Sequence, residues 1–191
     1  MDTEKNVWDR VRTFAPTSVV TPTQEEGRHF VERFYDTYRN EMQQRHILPM
    51  TISCGQYQSA VAFWHALAGK CCEAIAPLTN DDNRKNVERL KLQIDKATTT
   101  DPIKVFLVKI LNDEIKKKTG WNMLVAMEDF DALVEYSSSS DLMKIRQLIE
   151  LPVVIMAVSR KSLIDLCTEK YGNPYFSNQF ERFNYTTTND G

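Results

Sequence analysis

Trp121-Asn-Met-Leu-Val-Ala-Met-Glu-Asp-Phe-Asp131 and, further on, Leu151-Pro-Val-Val-Ile-Met-Ala-Val-Ser-Arg160 are the two stretches that decide the fold. Each is an apolar run too short for a buried helix of usual length, and each ends abruptly in charged or hydroxyl residues. Neither alternates polar with apolar, as a strand with one wet face would. Runs of this kind read as strands covered on both faces, the signature of a parallel sheet between two layers of helices.

Working outward, amphipathic segments alternate with the strands. Thr17-Ser-Val-Val20 is a short β-prone piece, and Thr23 is a plausible cap for the helix behind it. That helix carries Glu25 and Glu26 in its first turn and Phe30, Phe34, Tyr38 and Met42 at four-residue intervals, running to about Arg45. Ile47 to Cys54 reads as a strand despite Pro49. A second helix presents Val61, Trp64, Leu67, Cys71 and Ile75, and a charged helix follows with Val87, Leu90 and Ile94. Asp101-Pro102 looks like a cap with proline at the first helical position, opening a helix that ends in Lys116-Lys-Lys118 before Gly120. Tyr136 to Asp141, with four serines, reads as a flexible loop. Helices follow at Met143 to Ile149 and Lys161 to Lys170, and Phe180 to Tyr185 as a last strand. The expected fold class is α/β, a three-layer sandwich with a mostly parallel central sheet flanked by helices. Residues 17–185 form its one domain, with 1–16 a loosely ordered N-terminal extension and 186–191 a C-terminal tail.

The chain has 191 residues, 42% hydrophobic and 26% charged, which suits one folded domain rather than a disordered chain. Lys plus Arg number 24 against 26 for Asp plus Glu, a net charge of −2. That balance argues against nucleic acid as a partner. Cys54, Cys71, Cys72 and Cys167 form no CxxC pair and no zinc spacing with the histidines, so buried thiols of a reducing compartment are expected. With no apolar leader or membrane-length run visible, the expected location is cytoplasmic, away from membranes. His65 reads as a packed or surface histidine. Lys109 and Lys116 to Lys118 read as a solvated helix face. Phe34 and Tyr35 cannot both face inward fully, which suggests that part of their helix meets a partner.

In a parallel sheet, ligands bind beyond the carboxyl ends of the strands. Three segments should meet there: Thr21 to Arg28, Glu128 to Asp131, and Ser159-Arg160. At this point a resemblance is visible. Trp121 to Asp131 resembles the Walker B strand of AAA-like and STAND-type ATPases, which runs through hydrophobics into Asp-Glu-Phe-Asp. Leu142 to Leu148 followed by Leu151 to Arg160 resembles the next helix and the sensor-1 strand. Asn173-Pro-Tyr-Phe176 and Phe180-Glu-Arg-Phe183 are similar to the segment after it. The likeness covers roughly residues 17–185 and is specific as an ordered set. It implies a P-loop NTPase-like core. The chain ends soon after the last strand, so the resemblance also implies that the helical lid of AAA-type ATPases is missing.

The departure from the family pattern lies in the phosphate loop. A working P-loop needs Gly-x-x-x-x-Gly-Lys-Ser/Thr: amides that approach phosphates, a lysine to balance their charge, a hydroxyl for Mg²⁺. Val19-Val-Thr-Pro-Thr-Gln-Glu-Glu-Gly-Arg-His-Phe30 stands in its place. In that register Thr21 and Glu26 replace the glycines, Gly27 the lysine and Arg28 the hydroxyl residue, while Glu25 and Glu26 would repel a triphosphate. Thr21, Thr23, Glu26, Gly27, Arg28, Ser159 and Arg160 are therefore candidate residues of a degenerate nucleotide site. Glu128 and Asp129 stand where the Mg²⁺-linked Asp and the catalytic Glu belong, with their order reversed. They are the candidate catalytic and metal-binding pair, against the alternative that they are solvated or that Asp131 caps the next helix. Ser159 fits a hydrogen bond to phosphate or water and fits equally a helix cap. Arg160 fits a phosphate contact, an interface or plain surface.

The expected function is a catalytically degenerate ATPase-like domain, without cofactor, acting as a protein-binding adaptor, regulatory or assembly subunit. Its partner would be another protein, an active ATPase among them, or a second copy. The alternatives are an unorthodox NTPase using ATP and Mg²⁺ through Arg28, Glu128, Asp129 and Ser159, and a DNA-associated accessory subunit.

Overall fold

The computed structural model describes residues 3–149 and 152–185; Leu151, the first residue of the second apolar run, and the 186–191 tail lie outside the described residues. Five strands form one sheet: β1 (Thr17–Val20), β2 (Ile47–Ser53), β3 (Asn122–Glu128), β4 (Val153–Ser159) and β5 (Glu181–Asn184). Their order is β2-β3-β4-β1-β5, and every pairing is parallel. Helix α1 (Thr3–Val11) precedes β1 and α2 (Gln24–Gln44) follows it. Then α3 (Ala60–Ile75), α4 (Asp81–Asp95), α5 (Thr100–Lys109) and the short α6 (Lys117–Thr119) connect β2 to β3. Helices α7 (Phe130–Tyr136) and α8 (Ser139–Leu148) lead to β4, and α9 (Leu163–Tyr171) leads towards β5.

The two central strands are buried along their whole length, as their unbroken apolar runs require. Met123, Val125 and Met127 of β3 and Val153, Ile155 and Ala157 of β4 face a core shared with α3, α5, α7, α8 and α9. Leu124, Ala126, Val154, Met156 and Val158 face the other way, into a core built with α1 and α2. Period-two alternation puts neighbours on opposite faces, and here both faces are dry. Edge strand β2 explains Pro49. Asn122 N–H donates to His46 O at 2.8 Å across the β2–β3 register. Alternation then turns Pro49, which has no N–H to offer, toward the open edge, where no ladder bond is lost.

Three sequence expectations fail for physical reasons. Residues 1–16 are not a loose extension: α1 buries Val7, Trp8 and Val11 in the α2-side core. Trp8 stacks on Tyr38 at 4.8 Å, and its indole N–H donates to Glu41 at 2.7 Å. A nine-residue helix this polar has little stability of its own, so only its docking surface makes it form. The serine run is not a loop either. Ser138 caps α8 in a reciprocal capping box with Asp141, so the helix starts inside the run. Helix α5 also begins before its expected cap: Thr99 precedes it, and Pro102 lies within its first turn. Phe34 is buried, and Tyr35 is partly buried with its hydroxyl donating to Met50 O at 2.8 Å.

One further element was illegible in the sequence. Ile110–Lys116 is π-helical and buries Glu114, whose carboxylate pairs with Lys118 at 2.5 Å. Lys117 pairs with Asp113, and His65 Nε2 lies 2.9 Å from Ala97 O, so these groups serve the fold. All four cysteines are free and buried. Among the described residues no helix is long and apolar enough to cross a membrane.

Helices α5 and α8 are joined by a polar knot. Asp141 accepts from Ser138 Oγ at 2.6 Å and from Thr100 Oγ1 at 2.9 Å, with Lys144 Nζ 3.5 Å away. Burial alone would raise the Asp141 carboxyl, but the hydrogen bonds from Ser138 and Thr100 and the Lys144 charge outweigh it and hold the pKa below its ordinary value. A depressed carboxyl contributes stability above its unfolded pKa of about 3.9 and loses it as pH falls through the folded value. Asp141→Asn is expected to cost about 1–2 kcal/mol in urea denaturation at pH 7. The cost should begin to shrink as pH falls below about 3.9 and vanish only below the folded value, and a difference that stays constant with pH would remove the charge from this account.

Candidate functional site

Strand β1 hands the chain to α2 on one face of the sheet, whereas its neighbour β4 hands it to α9 on the other. The crevice between their carboxyl ends is thus a topological switch point, where open α/β sheets bind ligands. The three segments that the sequence brings forward do meet here. Thr21, Gly27, Glu128, Asp129, Ser159 and Arg160 line one cleft, joined by Gln24, Asp131 and Val158. Thr23, Glu26 and Arg28 lie outside its lining.

Residue by residue, the polar groups are committed to one another. Thr21 N–H donates to Ser159 O at 2.9 Å, prolonging the β1–β4 ladder past the strand ends, and Thr21 Oγ1 donates to Thr23 O at 2.9 Å. Only Thr21, Pro22 and Thr23 separate β1 from α2. Thr23 is the helix cap as expected, its hydroxyl accepting from Glu26 N–H at 3.1 Å and donating to the Glu26 carboxylate at 2.9 Å. Gly27 lies one turn into α2, pressed on the sheet. A Cβ there would stand 3.0 Å from Val158 Cγ1 and 3.2 Å from Thr21 Oγ1. The glycine is needed for close helix–strand approach, which is a packing role.

The two strand-end acids differ: Glu128 is buried and Asp129 is partly buried. Glu128 is 8% exposed, and burial, then the adjacent Asp129, hold its carboxyl above the ordinary range. Arg28 pulls the other way, Glu32 adds to the rise and Lys70 opposes it. Asp129 adopts the left-handed conformation (φ 53°, ψ 42°) and accepts from Ser53 Oγ at 2.8 Å. Its side chain leans over Gly55, where a Cβ would stand 3.1 Å from Oδ2. A non-glycine residue held there is strained and over-determined by its surroundings. The end of β2 therefore contributes Ser53 and Gly55 to the site's framework. No spacing in the sequence links them to Asp129; only sheet order does.

Asp131 and Ser159 correct the capping alternatives. Asp131 lies inside α7, buried, and its carboxylate accepts the backbone N–H of Arg160 at 3.0 and 3.3 Å. The Arg160 guanidinium is 3.9 Å from the same carboxylate and half exposed. Ser159 caps no helix: its hydroxyl donates to Lys161 O at 2.6 Å, and Ser162 caps α9 instead. The space left among these groups is about 10 Å³, the room of a single water. Among the described residues no group of three or more His, Cys, Asp or Glu side chains is placed to hold a metal ion.

With this geometry in view, comparison with known proteins bears on the fold. No family model and no curated protein matches the chain in sequence. Solved structures do match in shape. The ORC1 protein of Aeropyrum pernix in complex with DNA superimposes with a TM-score of 0.64 at 9% identity, covering 96% of this chain and 44% of that one. The Aeropyrum pernix ORC2 protein, in ADPNP–ADP complexes, gives 0.65 at 9% identity, covering 95% of this chain and 45% of that one. The five-stranded parallel sheet flanked by helices is thus shared with these neighbours, which have AAA+ ATPase folds. This chain spans less than half the length of either match. One expectation is overturned: net charge had argued against nucleic acid, yet one protein of this shape is in complex with DNA. A whole-chain sum of charge does not describe a local surface, so that exclusion is withdrawn.

Two substitutions test the site's construction. Asp131→Ala leaves the Arg160 N–H without its acceptor and should destabilise the fold by about 1–3 kcal/mol. Gly27→Ala gains about 1 kcal/mol of helix propensity. It also drives a methyl into Val158, a β-branched residue on a central strand that cannot yield, at a cost of about 1–3 kcal/mol. A lowered Tm is expected for both; a raised Tm for Gly27→Ala would show that α2 can lift off the sheet.

Proposed function

We propose that this chain is a catalytically degenerate P-loop ATPase-like domain that works as a protein-binding adaptor, regulatory or assembly subunit, without ATP turnover. The observation that carries the reading is the three-residue turn from β1 to α2. A phosphate-binding loop must wrap its amides around the anion and end in a lysine. Here the turn is closed by its own side chains, and Glu25, Glu26, Gly27 and Arg28 are already helical. The pinned Gly27 and a cleft the size of one water leave no cradle for a phosphate chain.

Electrostatics support the same reading. Glu128 is already disfavoured as an anion by burial and by Asp129, and a triphosphate beside it would add like charge where water is scarce. These features support a reading without ATP and Mg²⁺, and no catalytic step is assigned to Glu128 or Asp129. A second reading, a DNA-associated accessory subunit, is favoured by one observation, the DNA complex of a structural neighbour. Steeply salt-dependent binding of a duplex would select it.

The deciding measurement is thermal melting with millimolar ATP, ADP or GTP, each with Mg²⁺. A ligand at 100 times its Kd stabilises by about 2.7 kcal/mol, several degrees for a domain of this size. No shift is expected. A clear shift that Glu128→Gln combined with Asp129→Asn abolishes would replace this reading with an active NTPase.

A further inference from the structure

Helix α1 is docked by its side chains but tethered by a strained turn. Val7, Trp8 and Val11 are buried in the α2-side core, and Trp8 stacks on Tyr38. Glu4 pairs with Arg33 of α2, and Thr3 Oγ1 donates to Asn184 O of β5 at 3.2 Å. Residues 12–16 join this helix to β1. Phe14 N–H donates to Val11 O at 3.0 Å and Ala15 N–H to Arg10 O at 3.1 Å, a closure that holds Phe14 at φ 59°. Gly120 and Gly172 take the same left-handed conformation after α6 and α9, where the lack of a Cβ removes the cost. His46 and Asp129 share it, but histidine and aspartate are types that enter this region readily. A phenylalanine there is strained. Phe14 is also 43% exposed, so packing offsets only part of that strain. Pro16 biases Ala15 toward extended backbone, the conformation of an open hinge.

Tyr38, Arg33 and Asn184 belong to the body of the domain, beyond the turn, so a second copy presents the same seat. We infer that α1 exchanges between two copies of this chain: residues 12–16 extend, and each α1 docks in the other copy's seat. Exchange remakes the contacts of Glu4, Val7, Trp8 and Val11 and releases Phe14, and a short hinge under strain is the condition that invites such a swap. The seat itself names the occupant. A foreign helix placed there would leave Val7, Trp8 and Val11 in water, whereas a reciprocal exchange leaves neither copy's apolar side chains uncovered. Both copies use the same surfaces, so the contact is two-fold and closes at a dimer. Five extended residues reach about 17 Å, enough to carry α1 across a contact between two bodies. Each core is then completed by the other chain's Trp8. The inference stands whether or not the cleft takes nucleotide.

Sedimentation velocity on the full chain, without nucleotide, reads the outcome after millimolar protein has been held a few degrees below its Tm and cooled. A dimer is expected that persists in about 500 mM salt, because apolar contacts rather than surface charges are exchanged. Phe14→Gly relaxes the closed turn and should weaken the dimer roughly tenfold or more, since two hinges are affected. Glu4→Arg and Arg33→Glu, in separate chains, each set like charges together at the seat. Each variant should keep a wild-type circular dichroism spectrum. In a mixed dimer the helix with Glu4→Arg meets the body with Arg33→Glu, and the unaltered Glu4 meets the unaltered Arg33. The incubated mixture should therefore hold several-fold more dimer than either variant alone. A wild-type chain that stays monomeric overturns the inference. So does a dimer that Phe14→Gly leaves intact, or a mixture no more dimeric than its components, since either would join through another surface.

Discussion

Insertion of β1 between β4 and β5 is the constraint on which the rest depends. β1 is only four residues long, yet it pairs in parallel on both sides, with Met156 to Ser159 and with Glu181 to Asn184. Those pairings bring residues from both ends of the chain into register, and the long-range cost is recovered only because both faces are then sealed. Helix α2 must leave on one face and α9 on the other, which creates the crevice. The same insertion gives α1 its seat, since Val7, Trp8 and Val11 pack in the α2-side core beside β1 and the edge strand β5.

At that crevice the chain has turned its polar atoms on itself. Thr21 continues the ladder onto Ser159, the Ser159 hydroxyl closes its own turn, Asp131 holds the next amide, and Ser53 holds Asp129. Each bond satisfies a polar group of the cleft from within the chain. At this switch point the described polar side chains are thus tied to the framework of the sheet.

Much of this was legible in the residues themselves. Two runs buried on both faces, Asn122 to Glu128 and Val153 to Ser159, announced a parallel sheet, because a strand with no wet face cannot alternate. The four-residue stripe from Phe30 to Met42 placed α2, and the three segments named for the site were the three that the sheet gathers. These are local signals, set by periodicity and by where apolar runs stop.

Other features were settled only by contacts between distant parts of the chain. Whether α1 forms depends on a docking surface supplied by α2, and whether the serine run is loop or helix depends on Asp141, which Thr100 and Lys144 also hold. The fate of each site residue was equally non-local. Asp131 and Ser159 looked able to cap helices; instead Asp131 receives an amide from the end of β4, and Asp129 a hydroxyl from the end of β2. The sequence by itself determined the class of fold and the neighbourhood of the site, because burial writes its period into the chain. Only the tertiary structure decided which polar groups meet, because a hydrogen-bond partner is chosen by strand order and register, and neither has a local imprint.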